Sequence, residues 1–466
     1  MIRIDVLPDD VVLGIFDFYM ITDASFRGKP EIEVWQTLVH VCRRWRYLVF
    51  GSPRRLNLQL YCTPQTRIRD TLDVWPALPL IIYGDLFPTD TDNVIAALGQ
   101  SNRVSRVELN IHNVYGWQFE QVLAPTHVSF PELTDLWLWS CETQPTIPDS
   151  FLGGSAPRLR HLSLGSISFP GLPKLLLSAT HLVYLNLHIP HSWYISPEVI
   201  VASLSVLSSL EKLFLRFESP QSRPDWGSRR PLPSKRSVLP ALYEFQFEGV
   251  TEYLEELVAC IDTPQLSKMY ITFFNQIDFD CPRLAQFIDC TPALRGRDEA
   301  HVQFGDLTIN ITLRHRTSDS NYDNLLIEII CTEPDRQLSS IGQVCNYLPP
   351  ISLVEDLYIE PVLCSVLAWE NAIENTLWLE LLVSFTTVKN LYLSNGFAPC
   401  IAAALRELVS GRITEVLPSL QNIFVKGLEP SEPFQENIAQ YIASRQLSDH
   451  PTVISVWNDD TNMKLT

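Results

Sequence analysis

Five arginines, Arg43, Arg44, Arg46, Arg54 and Arg55, stand within "VHVCRRWRYLVFGSPRRL" (39–56). A cluster of guanidinium forks can hold phosphate or carboxylate, so this stretch is the first candidate for binding chemistry. The composition argues against a polyanion as its ligand. Lys plus Arg number 35 against 53 Asp plus Glu, a formal net charge of -18, and such a field repels nucleic acid and anionic membranes. Ten cysteines, at 42, 62, 141, 260, 281, 290, 331, 345, 364 and 400, form no C-x-x-C pair and have no matching histidine spacing. Neither a zinc module nor a dithiol redox motif is indicated, and buried free thiols are expected. There is no G-x-S-x-G, H-E-x-x-H or G-x-G-x-x-G, and Gly28-Lys29 lacks the remainder of a phosphate loop. His161, His181 and His188 fall in or beside strand-like stretches, where structural hydrogen bonding is expected, and Glu255-Glu256 and Asp459-Asp460 read as solvated pairs. No catalytic residue, metal ligand or cofactor is assigned, and the chain reads as non-catalytic.

The elements around the arginines are more informative than the arginines alone. Trp35, Leu38, Cys42, Trp45 and Val49 recur at alternating steps of three and four, which predicts one amphipathic helix ending near Gly51-Ser52-Pro53, with Arg43, Arg44 and Arg46 largely off its apolar stripe. Ahead of it, Leu7-Pro8 introduces a second helix. Asp9 and Asp10 lie in its first turn, where carboxylates suit the positive dipole end, and Val11, Val12, Ile15, Phe16 and Tyr19 supply its apolar face. A helical unit of about fifty residues is too small to bury all of that surface alone. It therefore needs a partner, in cis or in trans.

In this opening segment the chain resembles the F-box proteins. Leu7-Pro8, an acidic residue at Asp10, Ile15-Phe16, and later Val41-Cys42-Arg43-Arg44-Trp45-Arg46 follow that family's "LP…E…IF…VC+xW+" pattern in order. The polar stretch from Thr22 to Pro30 is longer than a compact F-box has there. The resemblance implies docking on the Skp-type adaptor of a cullin-RING ubiquitin ligase. By position it gives Leu7, Pro8, Ile15, Val41, Cys42 and Trp45 the adaptor-contacting role, with Phe16 as readily internal packing and the arginines as a charged rim. Chains of this kind, a single F-box before degenerate repeats, resemble a type abundant in mushroom-forming fungi.

Beyond residue 56 the pattern L-x-x-L-x-L returns irregularly. Leu133, Leu159, Leu182, Leu210, Leu242 and Leu266 mark six occurrences, and related segments lie at 351–361, 385–396 and 417–428, with a weaker one at 101–113. Helix-like stretches such as "SPEVIVASLSVLSS" and "TEYLEELVACIDTP" lie between, each opening with Ser or Thr. The predicted fold class is α/β: a small all-α F-box over 1–55, then an irregular leucine-rich-repeat-like solenoid over 56–466 with a parallel β-sheet and outer helices. A β-rich interruption is expected at about 291–350, a hairpin-like pair about the polar turn "RTSDSNYDN". Residues 218–237, rich in Pro, Ser and basic side chains, read as an exposed loop. The carboxyl-terminal helix and strand read as a capping repeat. The sequon Asn310-Ile311-Thr312 is taken as chance, because acidic residues interrupt any amino-terminal signal and the chain reads as cytoplasmic or nuclear, without a membrane span.

Three functions compete. The first is a substrate-recognition subunit that binds the adaptor, and through it cullin, by its amino-terminal unit and a protein cargo by its repeats, with no nucleic acid or membrane as partner. The second is a repeat scaffold whose amino-terminal helices only cap the array; burial of Leu7, Ile15 and Trp45 against residues 57–100 would favour it, exposure the first. The third, a nucleic-acid binder using Arg43 to Arg55 and the 218–237 loop, is disfavoured by charge.

Overall fold

The computed structural model describes residues 7–22, 34–65, 68–114, 116–220, 236–316, 325–362, 373–408, 414–426 and 432–457. The body of the 218–237 loop, the turn "RTSDSNYDN" after its first residue, Cys364 and Asp459-Asp460 therefore lie outside the described residues. The chain divides into two units, residues 1–193 and 194–466.

The first unit opens with α1 (Asp9–Thr22), α2 (Val34–Val41) and α3 (Arg43–Gly51). The single helix expected over α2 and α3 is broken at Cys42, whose backbone is extended (φ −159°, ψ 170°) and whose Sγ accepts from the Trp45 N–H at 3.5 Å as an N-cap. The period of three and four carries through the break, which hides it from a periodicity argument. After α3 strands alternate with helices except between β4 and β5, which a 3-10 turn (Phe151–Gly154) connects: β1 (Leu60–Cys62), α4 (Ile68–Val74), β2 (Leu80–Leu86), α5 (Thr91–Leu98), β3 (Val104–Ile111), α6 (Gly116–Leu123), β4 (Asp135–Ser140), β5 (His161–Gly165), α7 (Leu172–Ser178) and β6 (Tyr184–Ile189). Strands β1 to β6 pair in sequence order, all parallel.

Leucine spacing explains this order. Leu136, Leu162 and Leu185 stand in one register across β4, β5 and β6, and Leu138, Leu164 and Leu187 in the next core-facing register; all six are buried. The leucine three residues upstream opens each strand. Leu133, Leu159 and Leu182 donate their N–H to the carbonyls of Phe130, Ala156 and Ala179, so the same turn sets the same register in each repeat. Between the core-facing positions Trp137, Trp139, Tyr184 and His188 stand on the opposite, strand-side face.

The second unit contains α8 (Pro197–Leu204), β7 (Lys212–Phe217), β8 (Ser237–Val238), β9 (Glu244–Gly249), α9 (Thr251–Cys260), β10 (Ile261–Asp262), β11 (Lys268–Phe273), α10 (Pro282–Cys290), β12 (Glu299–Phe304), β13 (Thr308–Arg314), β14 (Leu325–Ile330) and α11 (Pro334–Tyr347). It closes with β15 (Asp356–Pro361), α12 (Asn375–Leu382), β16 (Asn390–Leu393), α13 (Ala398–Glu407), β17 (Asn422–Lys426), α14 (Glu432–Leu447) and β18 (Val453–Trp457). Its sheet runs β7-β9-β11-β14-β13-β12-β15-β16-β17-β18, with β8 and β10 a separate short parallel pair. Consecutive helices α8 to α10 and α11 to α14 pack side by side as a second layer.

The β-rich interruption is three strands where a pair was expected. β13 runs antiparallel to both β12 and β14, while β14 is parallel to β11 and β12 to β15, so the insertion enters and leaves the array without breaking its direction. Buried Gln337 of α11 pins it, its amide donating to the carbonyls of Gly305 (3.0 Å) and Cys331 (2.6 Å). Asn310 of the sequon is buried in β13.

Other expectations are corrected by packing. Ser196 caps α8, accepting from the Val199 N–H at 3.5 Å. Thr251 does not cap α9; its own N–H donates instead to Gln276 Oε1 at 3.2 Å. Glu255 is no solvated residue, since its carboxylate accepts from the N–H groups of Arg283 (2.9 Å) and Leu284 (2.7 Å) at the start of α10, an anion at a helix amino terminus. Of nine described cysteines, all free thiols, Cys42, Cys141 and Cys290 are exposed and Cys400 is half-buried; only five are buried as expected. The carboxyl-terminal helix α14 and strand β18 follow as a last repeat, β18 pairing with β17 at the end of the sheet; among the described residues Val453, Ile454 and Val456 are exposed, and a cavity of about 530 Å³ opens between β18 and Phe434, Ile438 and Ile442 of α14. Among the described residues no helix is long and apolar enough to cross a membrane.

Candidate docking surface

Helix α1 carries two apolar faces. Val12, Leu13 and Phe16 are buried, Phe16 meeting Trp45 of α3 edge-on with ring centroids 4.8 Å apart. On its other side Val11, Ile15, Phe18 and Tyr19 are exposed, Ile15 by 43% and Phe18 by 74%. The sequence reading had merged Val11, Ile15 and Tyr19 with Val12 and Phe16 into one face. The steps of four and three from Val11 through Ile15 to Phe18 were the available sign of a second stripe.

The arginines fix how these helices sit. Arg44 donates through Nη2 to Asp9 Oδ1 at 2.6 Å and to the Leu7 carbonyl, and through Nε to Asp9 Oδ1 at 3.1 Å. Arg55 reaches Asp17 Oδ2 through Nε and Nη2 at 3.1 and 3.0 Å. One clamp thus holds the start of α1 at the start of α3, and the other holds its middle to the residues after α3. Arg46 donates from Nε to the Val39 carbonyl at 3.0 Å, near the negative end of α2. Arg43 and Arg54 lie exposed. An acidic protein concentrates positive charge here to join its helices, and three of the five guanidiniums are engaged by acceptors of the chain itself.

Of the six residues given an adaptor-contacting role, Pro8, Ile15, Val41 and Cys42 are exposed, Val41 by 59%. Leu7 and Trp45 are half-buried. Through Arg44 the structure brings Leu7 and Pro8 to the Val41–Cys42 break, with Ile15 farther along α1. Cys42 works as a helix cap and Trp45 partly as support for Phe16. Residues missed by the sequence reading are Phe18 and, on α3, Tyr47, exposed by 78%.

The side turned to the repeats is sealed differently. Trp35 of α2 is buried, edge-on to Trp75 at 5.1 Å and to Phe50 at 5.9 Å, and its Nε1 donates to the Gln59 carbonyl at 3.1 Å. Thus α2 and α3 anchor the unit on the first repeat, while Val11 and Ile15 on the outer face of α1 are exposed.

No family model matches this chain, and no curated protein matches it. Among solved structures it is similar to the leucine-rich repeat-containing protein LegL7 from Legionella pneumophila, at 11% identity over 82% of this chain and 97% of that one, with a TM-score of 0.24. The leucine-rich-repeat-like character of this chain rests on its own strand registers and its repeated strand-opening turn.

Two of the three histidines named from the sequence meet polar side chains. His161 Nδ1 lies 2.8 Å from Asp135 Oδ1, His188 Nδ1 lies 3.2 Å from Ser166 Oγ, and His181 is exposed. Among the described residues no group of three or more His, Cys, Asp or Glu side chains is gathered as a metal ion requires.

Proposed function

We propose that this chain is the substrate-recognition subunit of an SCF-type cullin-RING ubiquitin ligase. Helices α1 to α3 dock a Skp-type adaptor and through it cullin, and the strand-side face of the repeats holds a protein cargo. The subunit has no ubiquitin-transfer chemistry of its own and acts by proximity, raising the effective concentration of cargo at the conjugating enzyme.

The observation that carries this reading is the exposed apolar stripe of Pro8, Val11 and Ile15 at the start of a helix whose opposite face is packed and which Arg44 and Arg55 clamp at its start and middle. Such a stripe beside a charged rim has the anatomy of a protein interface, with apolar anchors supplying affinity and rim charges steering encounter. The sealed Trp35–Trp75 contact favours the other reading, in which the helices only cap the array.

Replacing Ile15 and Val41 together by Asp separates the two. Both are exposed, so melting of the full chain should be unchanged. Binding to a recombinant Skp-type adaptor should weaken by about thirtyfold or more, as truncated anchors cost about 2 kcal/mol. Wild-type affinity in the variant would discard the ligase assignment and leave the cap.

A further inference from the structure

Strand β18 lies at one end of the sheet, parallel to β17, and its Val453 N–H donates to the Gln421 carbonyl at 2.8 Å. Backbone groups alternate sides along a strand, so those of Ile454 and Val456 point the other way, to an edge that no strand occupies among the described residues. The side chains of the same two residues line the cavity of about 530 Å³ against α14, where the small residues Ala439 and Ala443 leave room. Ile454 is 39% exposed and Val456 64%. A free strand edge beside an apolar hollow is a template for one more strand.

The sequence after β18 has the pattern of that strand. Residues 458–466, "NDDTNMKLT", lie outside the described residues. Asn458-Asp459-Asp460-Thr461 are residue types that favour a turn, and Asn462-Met463-Lys464-Leu465-Thr466 alternates polar with apolar. We propose that residues 462–466 fold back antiparallel along the free edge of β18, and that Met463 and Leu465 fill the cavity against α14.

Parity sets the register. With four residues in the turn, Met463 lies opposite Val456 and Leu465 opposite Ile454, and opposite residues of an antiparallel pair share a face. Both apolar side chains then enter the cavity, and the backbone groups of Val456 and Ile454 gain partners. A turn shorter by one residue would place Asn462 and Lys464 over the cavity instead, exchanging apolar for polar side chains there. Tethering favours this occupant over a second copy or a foreign strand. A segment joined by a short turn acts at an effective concentration on the order of millimolar, which a separate chain must exceed. The inference rests on the last repeat alone and is independent of adaptor docking.

Hydrogen exchange on the whole chain, resolved to single residues by mass spectrometry, tests it at the Ile454 and Val456 amides, which point away from β17. Both should be protected in the unsubstituted protein at any protein concentration. Met463→Glu combined with Leu465→Glu should raise their exchange rates by about tenfold or more, with β4 to β6 unaltered as the control for folding. Lys464→Glu, on the other face, should leave both protected. Equal exchange in the unsubstituted protein and the double variant would overturn the proposal, leaving the edge free for another protein. A dependence on Lys464 rather than on Met463 and Leu465 would overturn it through the register. Protection that rises with protein concentration would overturn it in favour of a second copy of the chain.

Discussion

Trp45 meets Phe16 edge-on, with ring centroids 4.8 Å apart and planes at 66°, and this contact joins α3 to the buried side of α1. A residue that the F-box resemblance marks for a partner thus supports α1 from its buried side. Trp45→Ala should lower stability by about 1–2 kcal/mol, less than truncation of a fully buried aromatic because Trp45 is half-buried. Adaptor binding lost in that variant would report folding as much as contact. Chemical denaturation checks it: a midpoint equal to that of the unsubstituted protein would show that Trp45 gives α1 no support.

Gly165 of β5 makes room for the aromatic pair of neighbouring strands. A Cβ there would lie 2.0 Å from the Trp139 ring, which stacks with His188 at 5.3 Å and 6°. Gly165→Ala should therefore destabilise the first unit by about 1–3 kcal/mol through overpacking. Adding Trp139→Ala should restore most of the loss relative to Trp139→Ala alone. A double-mutant cycle reads that coupling directly.

Arg445 is a buried cation whose hydrogen-bond acceptors among the described residues are carbonyls and a hydroxyl. It donates to the carbonyls of Leu420 (2.8 Å), Leu417 (3.2 Å), Pro418 (3.3 Å) and His450 (3.3 Å) and to Thr452 Oγ1 (3.1 Å), so it ties α14 to the turns that open β17 and β18. Arg445→Ala leaves those acceptors buried and unmatched, at a cost of about 1–3 kcal/mol. Hydrogen exchange should show the loss first in β17 and β18. Unaltered protection there would refute the role.

The His301 cluster should make stability depend on pH. Burial works against a charged His301, but its hydrogen bonds to Glu299 and Glu360 outweigh that and raise its pKa above 6.5; Arg314 opposes them. The hydrogen bond with His301 holds Glu360 below 4.5 despite burial, aided by Gln303 and Lys426. A raised histidine stabilises fully below its unfolded value and loses that contribution as pH rises through its folded value; a depressed carboxyl stabilises above its unfolded value and loses it as pH falls. The cluster should contribute most between about pH 4.5 and 6.5. His301→Gln should flatten the decline in stability above pH 6.5, measured as denaturation midpoint against pH.

Much of the repeat architecture was present in the primary structure, because a buried strand and its opening turn both require apolar residues at set spacings. Leu133, Leu136 and Leu138, and their counterparts at Leu159, Leu162 and Leu164, declare their register without any knowledge of what lies opposite. The Leu7-Pro8 start of α1 and the acidic first turn were legible for the same local reason. Tertiary structure decided what depends on neighbours distant in sequence. Whether Val11 or Val12 is buried follows from where Arg44 and Arg55 draw α1, across 35 and 38 residues of chain. The break at Cys42 is silent in periodicity because a cap can interrupt a helix while leaving its apolar spacing intact. His301, Tyr358, Tyr392 and Phe424 stack as rings that only parallel pairing brings within reach, and Trp457 meets Tyr392 by lying on a nearby strand rather than by any pattern in its own segment.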